Sequence, residues 1–346
     1  MIKRVSTVVL AILMGQGQAM AVTKSKGDNA YLWLEDVEGS KALAWVRGEN
    51  ERSTSELHKY PRFDEFKVAA LKILEAKDKL ASGYIQGDYV YNFWQDGEHV
   101  RGIWRRTSWS SYQNGKPEWE LVLDVDALAK SDGKNYVFRG ATCLRPSYER
   151  CMIKLSDGGS DASYFREFDL TTKQFITDGY ELAPSKSGLI WSTLDRVFFE
   201  DATTPGDLTS SGYPRVVRSW NRGKPAASSP VVFEGAATDV SVHAVVIHDG
   251  DQDHVFFTRA VTFFTEKVYY ELEGQLVPLP LPADISLQGV YQGQVLFTSR
   301  SAIGSIPAGS LVAADLKALV KGAQEFTAVF TPVSYTHLTL PTILLV

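Results

Sequence analysis

Two spacings of apolar residues divide this chain. Up to about residue 80 they recur every three to four positions, the period of an α-helix; from Ser82 onward they come in short alternating or continuous runs, the mark of strands. The first helix is predicted over Ser40–Leu57, with Ser40 able to cap it and Leu43, Val46, Asn50 and Leu57 near one face. Pro61 interrupts. A second helix is predicted from Asp64 to Leu80, with Phe66, Ala70, Ile73, Leu74 and Lys77 at helical spacing. The strand region opens on a hairpin, Tyr84 to Phe93, folded at Gly87-Asp88. Further runs are Val100–Trp104, Leu121–Leu123, Met152–Leu155, Tyr164–Leu170, Leu189–Thr193, Val197–Glu200 and Val216–Trp220. Val231–Glu234, Val240–Ile247, Val255–Thr262, Lys267–Leu272, Val290–Ser299 and Leu311–Ala314 follow. Aromatic and β-branched residues dominate them. Asp284–Gln288 carries no assignment, and Ala313–Lys321 reads as a short helix or a connection between sheets.

Many short strands with frequent turns fit a sandwich, a barrel or a propeller. Length decides against a single sandwich: roughly 250 residues, at about 40–50 per four-stranded blade, give about five blades. An outer-membrane barrel would need lipid-facing alternation over about ten residues per strand, and these runs are too short and irregular. The predicted class is mainly β, an incomplete propeller of about five blades preceded by two α-helices.

Composition sharpens this. The 346 residues are 44% hydrophobic and 12% aromatic, ample for a packed core, and 22% charged without a long block of one sign, which excludes a disordered chain. Lys3 and Arg4, the apolar run Val8–Met14 and Ala19-Met20-Ala21 have the order of a secretory signal cut after Ala21, and the run is too short to span a bilayer. Losing residues 1–21 removes the two positive charges of Lys3 and Arg4, moving the net charge from −5 to −7. A mildly acidic body without a basic stripe excludes nucleic acid as the expected partner, and none is expected from the membrane once the signal is cut. Export would place Cys143 and Cys151 in an oxidising space, where they can cross-link neighbouring strands around the turn Arg145-Pro146-Ser147-Tyr148, or remain two free thiols.

Several strings occur in a familiar order. Tyr31-Leu32-Trp33-Leu34-Glu35-Asp36 precedes Ala44-Trp45-Val46 and Glu49-Asn50-Glu51-Arg52. Leu123-Asp124-Val125-Asp126-Ala127-Leu128 follows, then Leu155 to Ala162, which contains Ser156-Asp157-Gly158-Gly159-Ser160-Asp161, and Arg166-Glu167-Phe168-Asp169-Leu170. Thr209-Ser210-Ser211-Gly212-Tyr213-Pro214-Arg215, Trp220 and Arg222-Gly223 complete the set. Over roughly residues 28 to 330 the chain resembles the amino-terminal half of the prolyl oligopeptidase family of serine peptidases. The resemblance implies a seven-bladed propeller inserted in an α/β-hydrolase, where it admits short peptides and excludes folded proteins. It also implies a serine, histidine and aspartate in the hydrolase part, with cleavage after proline in the name-giving members. That α/β-hydrolase domain is expected to be missing here, leaving the propeller and the helical segment at 22–81 without the surface they would pack against, so the fragment is expected to be inactive. The implied organisation is a signal at 1–21, a helical segment at 22–81, a truncated propeller at 82–332 and a non-native tail at 333–346.

The residues supply no catalytic site of their own. The nearest string to a nucleophile elbow, Gly158-Gly159-Ser160-Asp161-Ala162, lacks the last glycine and the strand-to-helix context, and reads as a turn. His58, His99, His243, His248 and His254 fall on unrelated elements. Asp249-Gly250-Asp251-Gln252-Asp253-His254 has its glycine too early for a calcium loop and no closing glutamate, so it reads as a solvated hairpin turn. No cofactor or metal is expected, and the expected ligands are short peptides. The alternatives are a peptidase of the oligopeptidase B kind with basic specificity, a non-catalytic propeller that binds a partner, and a five-bladed glycosidase, for which no carboxylate pair is evident. Finally, Val333 to Thr342 resembles a translated frame of a transposase adapter from shotgun sequencing, with Ile343–Val346 in the same foreign tail.

Overall fold

A computed structural model describes residues 30–36 and 38–332. The predicted signal and tail lie outside the described residues. The chain divides at Ile73/Leu74 into two units.

The first unit holds a 3-10 turn, Leu32–Glu35, and two helices, α1 (Ser40–Leu57) and α2 (Phe63–Leu74). Helix α1 has the predicted bounds, but Gly39 occupies its cap position and Ser40 is its first helical residue. Helix α2 stops six residues before the predicted Leu80. The Lys79 ammonium donates to the Leu74 carbonyl at 2.9 Å and to the Gln95 carbonyl, so the chain after Leu74 is tied to the sheet beyond it instead of continuing the helix.

The second unit is five antiparallel sheets in sequence order, each a four-stranded meander. The first contains β1 (Tyr84–Gln86), β2 (Tyr89–Trp94), β3 (Ile103–Ser108) and β4 (Glu120–Asp124), with a short helix α3 (Trp109–Gln113) after β3. Helix α4 (Val125–Asp132) leads onward, capped by the Asp124 carboxylate accepting from the Ala127 amide at 2.9 Å and closed by Gly133 at positive φ. The second sheet contains β5 (Tyr136–Cys143), β6 (Arg150–Asp157), β7 (Ser163–Asp169) and an outer strand in two pieces, β8 (Gln174–Phe175) and β9 (Glu181–Ser185), both paired to β7. The third is β10 (Gly188–Thr193), β11 (Arg196–Asp201), β12 (Val216–Asn221) and β13 (Val231–Glu234). The fourth is β14 (Ser241–Asp249), β15 (Gln252–Ala260), β16 (Glu266–Leu272) and β17 (Gln275–Pro278). The fifth is β18 (Ile285–Tyr291), β19 (Gln294–Ser299), β20 (Leu311–Asp315) and β21 (Thr327–Phe330), with helix α5 (Leu316–Val320) after β20.

These are propeller blades, because their cores lie between sheets. Tyr91 and Trp104 of the first blade pack with Ile153, Leu155 and Phe168 of the second. Phe165 and Leu182 meet Trp191, Val197 and Phe199. Phe198 and Val217 meet Val242 and Phe257, and Phe256 and Val268 meet Val295 and Phe297. Adjacent residues therefore feed different cores: Phe198 and Phe199 point into opposite neighbours, as do Phe256 and Phe257. That is why Val197–Phe199 and Val255–Phe257 read as continuous apolar blocks instead of alternating. Burying each such side chain contributes about 1.5–3 kcal/mol.

Some strands escaped the pattern. The predicted run Val100–Trp104 starts before the strand, since Arg101 and Gly102 belong to the loop and β3 (Ile103–Ser108) begins at Ile103. Strands β5, β8, β9, β17 and β21 carry no sequence assignment, and the predicted run Val290–Ser299 is the end of β18, a turn and β19. Cys143 and Cys151 lie directly opposite in the β5–β6 register and are joined as a disulfide.

Candidate functional site

The first strand of each blade stands at one edge of its sheet. Strand β14 touches both β10 and β18, so the first strands of the third, fourth and fifth blades adjoin one another, the position that lines the channel in a propeller. An edge strand has backbone amides without ladder partners. On β14 a carboxylate from the neighbouring blade fills that role. Glu200, near the end of β11, is buried and accepts from the Ala244 amide of β14 at 3.0 Å. Room for it comes from Gly188 of β10, where a Cβ would stand 2.4 Å from the carboxylate. Asp249, at the end of β14, accepts from the Gln292 and Gly293 amides of the β18–β19 turn in the next blade, at 2.8 and 2.7 Å.

Glu200 also faces His243. The histidine Nδ1 is 3.3 Å from that carboxylate, and its Nε2 is 2.8 Å from the Ser241 hydroxyl. The hydrogen bond to Glu200 raises the His243 pKa, and the Glu266 charge adds to this. Burial in turn raises the Glu266 pKa. Serine, histidine and acid in line are the order of a nucleophilic relay. Ser241, however, is only 5% exposed, so its hydroxyl is closed to a substrate carbonyl, and the arrangement ties blades three and four together at the channel wall. The sequence offered no signal for it, since Glu200 stands 41 positions before Ser241.

The other histidines stay apart. His58 follows α1 and packs on Phe63; His99 Nδ1 sits 3.1 Å from Asp96 in a turn. His248 pairs with Asp253, and His254 Nδ1 is 3.0 Å from the Tyr270 hydroxyl. Ser160 occupies the predicted turn, between Gly158 and Gly159 at positive φ and Ala162, whose carbonyl accepts from its hydroxyl at 3.2 Å. The Asp249–His254 segment is the β14–β15 hairpin turn. No cluster able to hold a metal ion occurs among the described residues.

Two of the strings that carry the family resemblance meet in space. Glu167, nearly fully buried on β7, accepts two bonds from the Arg222 guanidinium of the next blade at 2.8 and 2.9 Å, and one from the Tyr180 amide at 3.0 Å. Arg222 also lies 4.7 Å from the Tyr180 ring. Thr209 donates to the Val240 carbonyl at 2.9 Å, across the third and fourth blades. Asp126 holds the loop before β3 by accepting from the Arg101 and Gly102 amides. These motif residues are braces between blades and loops, not reactive groups.

Comparison with known proteins agrees with this architecture. The sequence profile of the family described as prolyl oligopeptidase, N-terminal beta-propeller domain, matches residues 17–277. An uncharacterised peptidase of Sinorhizobium fredii is 39% identical over 298 residues, covering 83% of this chain and 41% of the relative. An uncharacterised peptidase of Rickettsia prowazekii is 30% identical over 321 residues, covering 87% and 44%. The chain thus spans less than half the length of the curated relatives it matches. The solved structure of a post-proline cleaving enzyme from Rickettsia typhi superposes with a TM-score of 0.81 at 29% identity, covering 87% of this chain and 47% of that one. Oligopeptidase B from Leishmania major shares the fold at a TM-score of 0.64 and 12% identity, covering 87% and 41%. The chain belongs to the prolyl oligopeptidase family and carries that family's N-terminal β-propeller domain.

Proposed function

We propose that this chain is the substrate-gating propeller portion of an exported serine oligopeptidase that cuts short peptides after proline, and that the chain alone does not cut them. The observation that carries this reading is the likeness to the Rickettsia typhi post-proline cleaving enzyme, at 29% identity over most of the chain. In the whole enzyme a serine attacks the peptide carbonyl, a histidine moves the proton and an aspartate orients the histidine. The propeller restricts access, because a channel walled by first strands admits an extended peptide and refuses a folded domain. Inactivity of the chain alone is supported by the closed Ser241 hydroxyl. Export is supported by the signal-like order of Lys3, Arg4, Val8–Met14 and Ala19-Met20-Ala21, and by the Cys143–Cys151 disulfide, which persists in an oxidising space.

The test is hydrolysis of a proline-linked reporter peptide by the purified chain, with expression in a secreting host. No turnover is expected, and the exported product should begin at Val22. Turnover blocked by a serine-directed inhibitor would overturn the assignment of the chemistry to another part of the protein. An intact Met1 on cytoplasmic product would overturn export.

A further inference from the structure

A cavity of 550 Å³ lies between the first and second blades, on the side where the β2–β3 loop meets α4. It exists because β1 is short. Strand β1 pairs only with Tyr89–Tyr91 of β2, so Phe93 has no inner neighbour and its ring stacks on Phe138 of β5 at 4.7 Å. Val100 and Val137 extend the apolar wall. Gly102, at φ +98°, lets the Phe93 ring lie against the loop, since a Cβ there would stand 2.4 Å from the ring.

One cation faces this apolar wall. The Arg101 guanidinium donates to the Asn135 side-chain oxygen and, at 3.1 Å, to the Tyr136 carbonyl. Both acceptors are neutral. Among the described residues no carboxylate lies within ion-pairing distance of this guanidinium. Asp126, the acid that also lines the cavity, is occupied by the backbone amides of Arg101 and Gly102 at 3.0–3.1 Å. A guanidinium fixed by neutral groups, with its charge unanswered and an aromatic floor beside it, is suited to a carboxylate attached to an apolar group. The volume suits one or two residues of peptide, not a folded partner.

We propose that this cavity binds the C-terminal carboxylate of a short peptide whose last side chain is apolar, with Arg101 as the carboxylate-recognising residue and Phe93 and Phe138 receiving the side chain. The inference rests on the reading that short peptides are the ligands of this propeller. It adds an end preference: peptides with a free carboxyl terminus are held, and amidated ones are not.

Saturation-transfer NMR with the full chain at low micromolar concentration tests this, using acetyl-Ala-Phe with a free carboxylate, the same peptide as its amide, and 3-phenylpropionate. The free acid is expected to bind about tenfold tighter than the amide, the factor of one charge-assisted hydrogen bond. Arg101→Gln should erase the difference, and Arg101→Lys should keep part of it, with circular dichroism and melting showing both variants folded. Equal binding of acid and amide overturns the carboxylate site and leaves the peptide reading standing. Binding of neither overturns the cavity as a peptide site, while the peptidase reading is decided by the hydrolysis test above. A preference that survives Arg101→Gln, or phenylpropionate binding as well as the peptide acid, overturns the assignment to Arg101 or to a peptide.

Discussion

At the scale of single residues, two positions have consequences that solution measurements can read. Gly102 combines a backbone at φ +98° with a neighbour that leaves no space for a Cβ. Gly102→Ala adds backbone strain and overpacking, together roughly 2–4 kcal/mol of destabilisation, and should appear as an earlier urea midpoint with an unchanged slope. His243 makes stability depend on pH. Its folded-state pKa is raised above the ordinary 6.5 by the Glu200 hydrogen bond. A raised pKa contributes stability that is complete below the unfolded value and is lost as pH rises through the folded value. The melting temperature of the chain should therefore fall as pH rises above the ordinary histidine value of 6.5, and His243→Gln should flatten that slope. Equal slopes in both proteins would mean that the Glu200–His243 contact does not form in solution.

At the scale of elements, the two helices and most middle strands were legible, because α1 repeats at helical spacing and the second and third strands of each blade carry dense apolar blocks. The first strands were harder. Strand β5 buries Tyr136 and Phe138 on one side, then Ala141 and Cys143 on that same side, because a bulge between Phe138 and Gly140 shifts the register by one residue. Strand β18 does the same with Ile285 and Leu287, then Val290, across a bulge between Leu287 and Gly289. A period of two that changes phase halfway does not register as a strand, and both bulges include glycine. The candidate site was less legible still, since the channel wall is built from first strands and from carboxylates supplied by other elements. The Glu167–Arg222 brace was visible only as two motif strings 55 positions apart. Arg222→Met leaves a buried carboxylate without its cation and should cost about 3–5 kcal/mol in chemical denaturation. Adding Glu167→Gln should recover part of that loss, because the stranded charge is then gone. A double variant as unstable as the sum of the singles would show that the two side chains do not interact.

For the whole molecule, the count of cores matters more than the count of blades. Five blades share four apolar cores, and among the described residues none joins the fifth blade to the first. A blade is stable when both faces are covered, so the end blades depend on whatever else meets them. The helical unit is the more exposed part. Phe66, Val68, Leu71, Ile73 and Leu74 of α2 all have half or more of their surface in water, and Trp45 and Leu57 of α1 are similarly open. An amphipathic helix with its apolar stripe uncovered is an association surface. The purified chain should therefore self-associate with rising concentration, seen as an increase in light-scattering mass. Val68→Lys with Ile73→Lys should lower that mass at equal concentration, since both side chains are mostly solvent-exposed and each lysine removes apolar surface without touching a core. A monodisperse monomer with one cooperative melt would contradict the prediction. Association that the two lysines leave unchanged would move its source from α2 to the uncovered faces of the end blades.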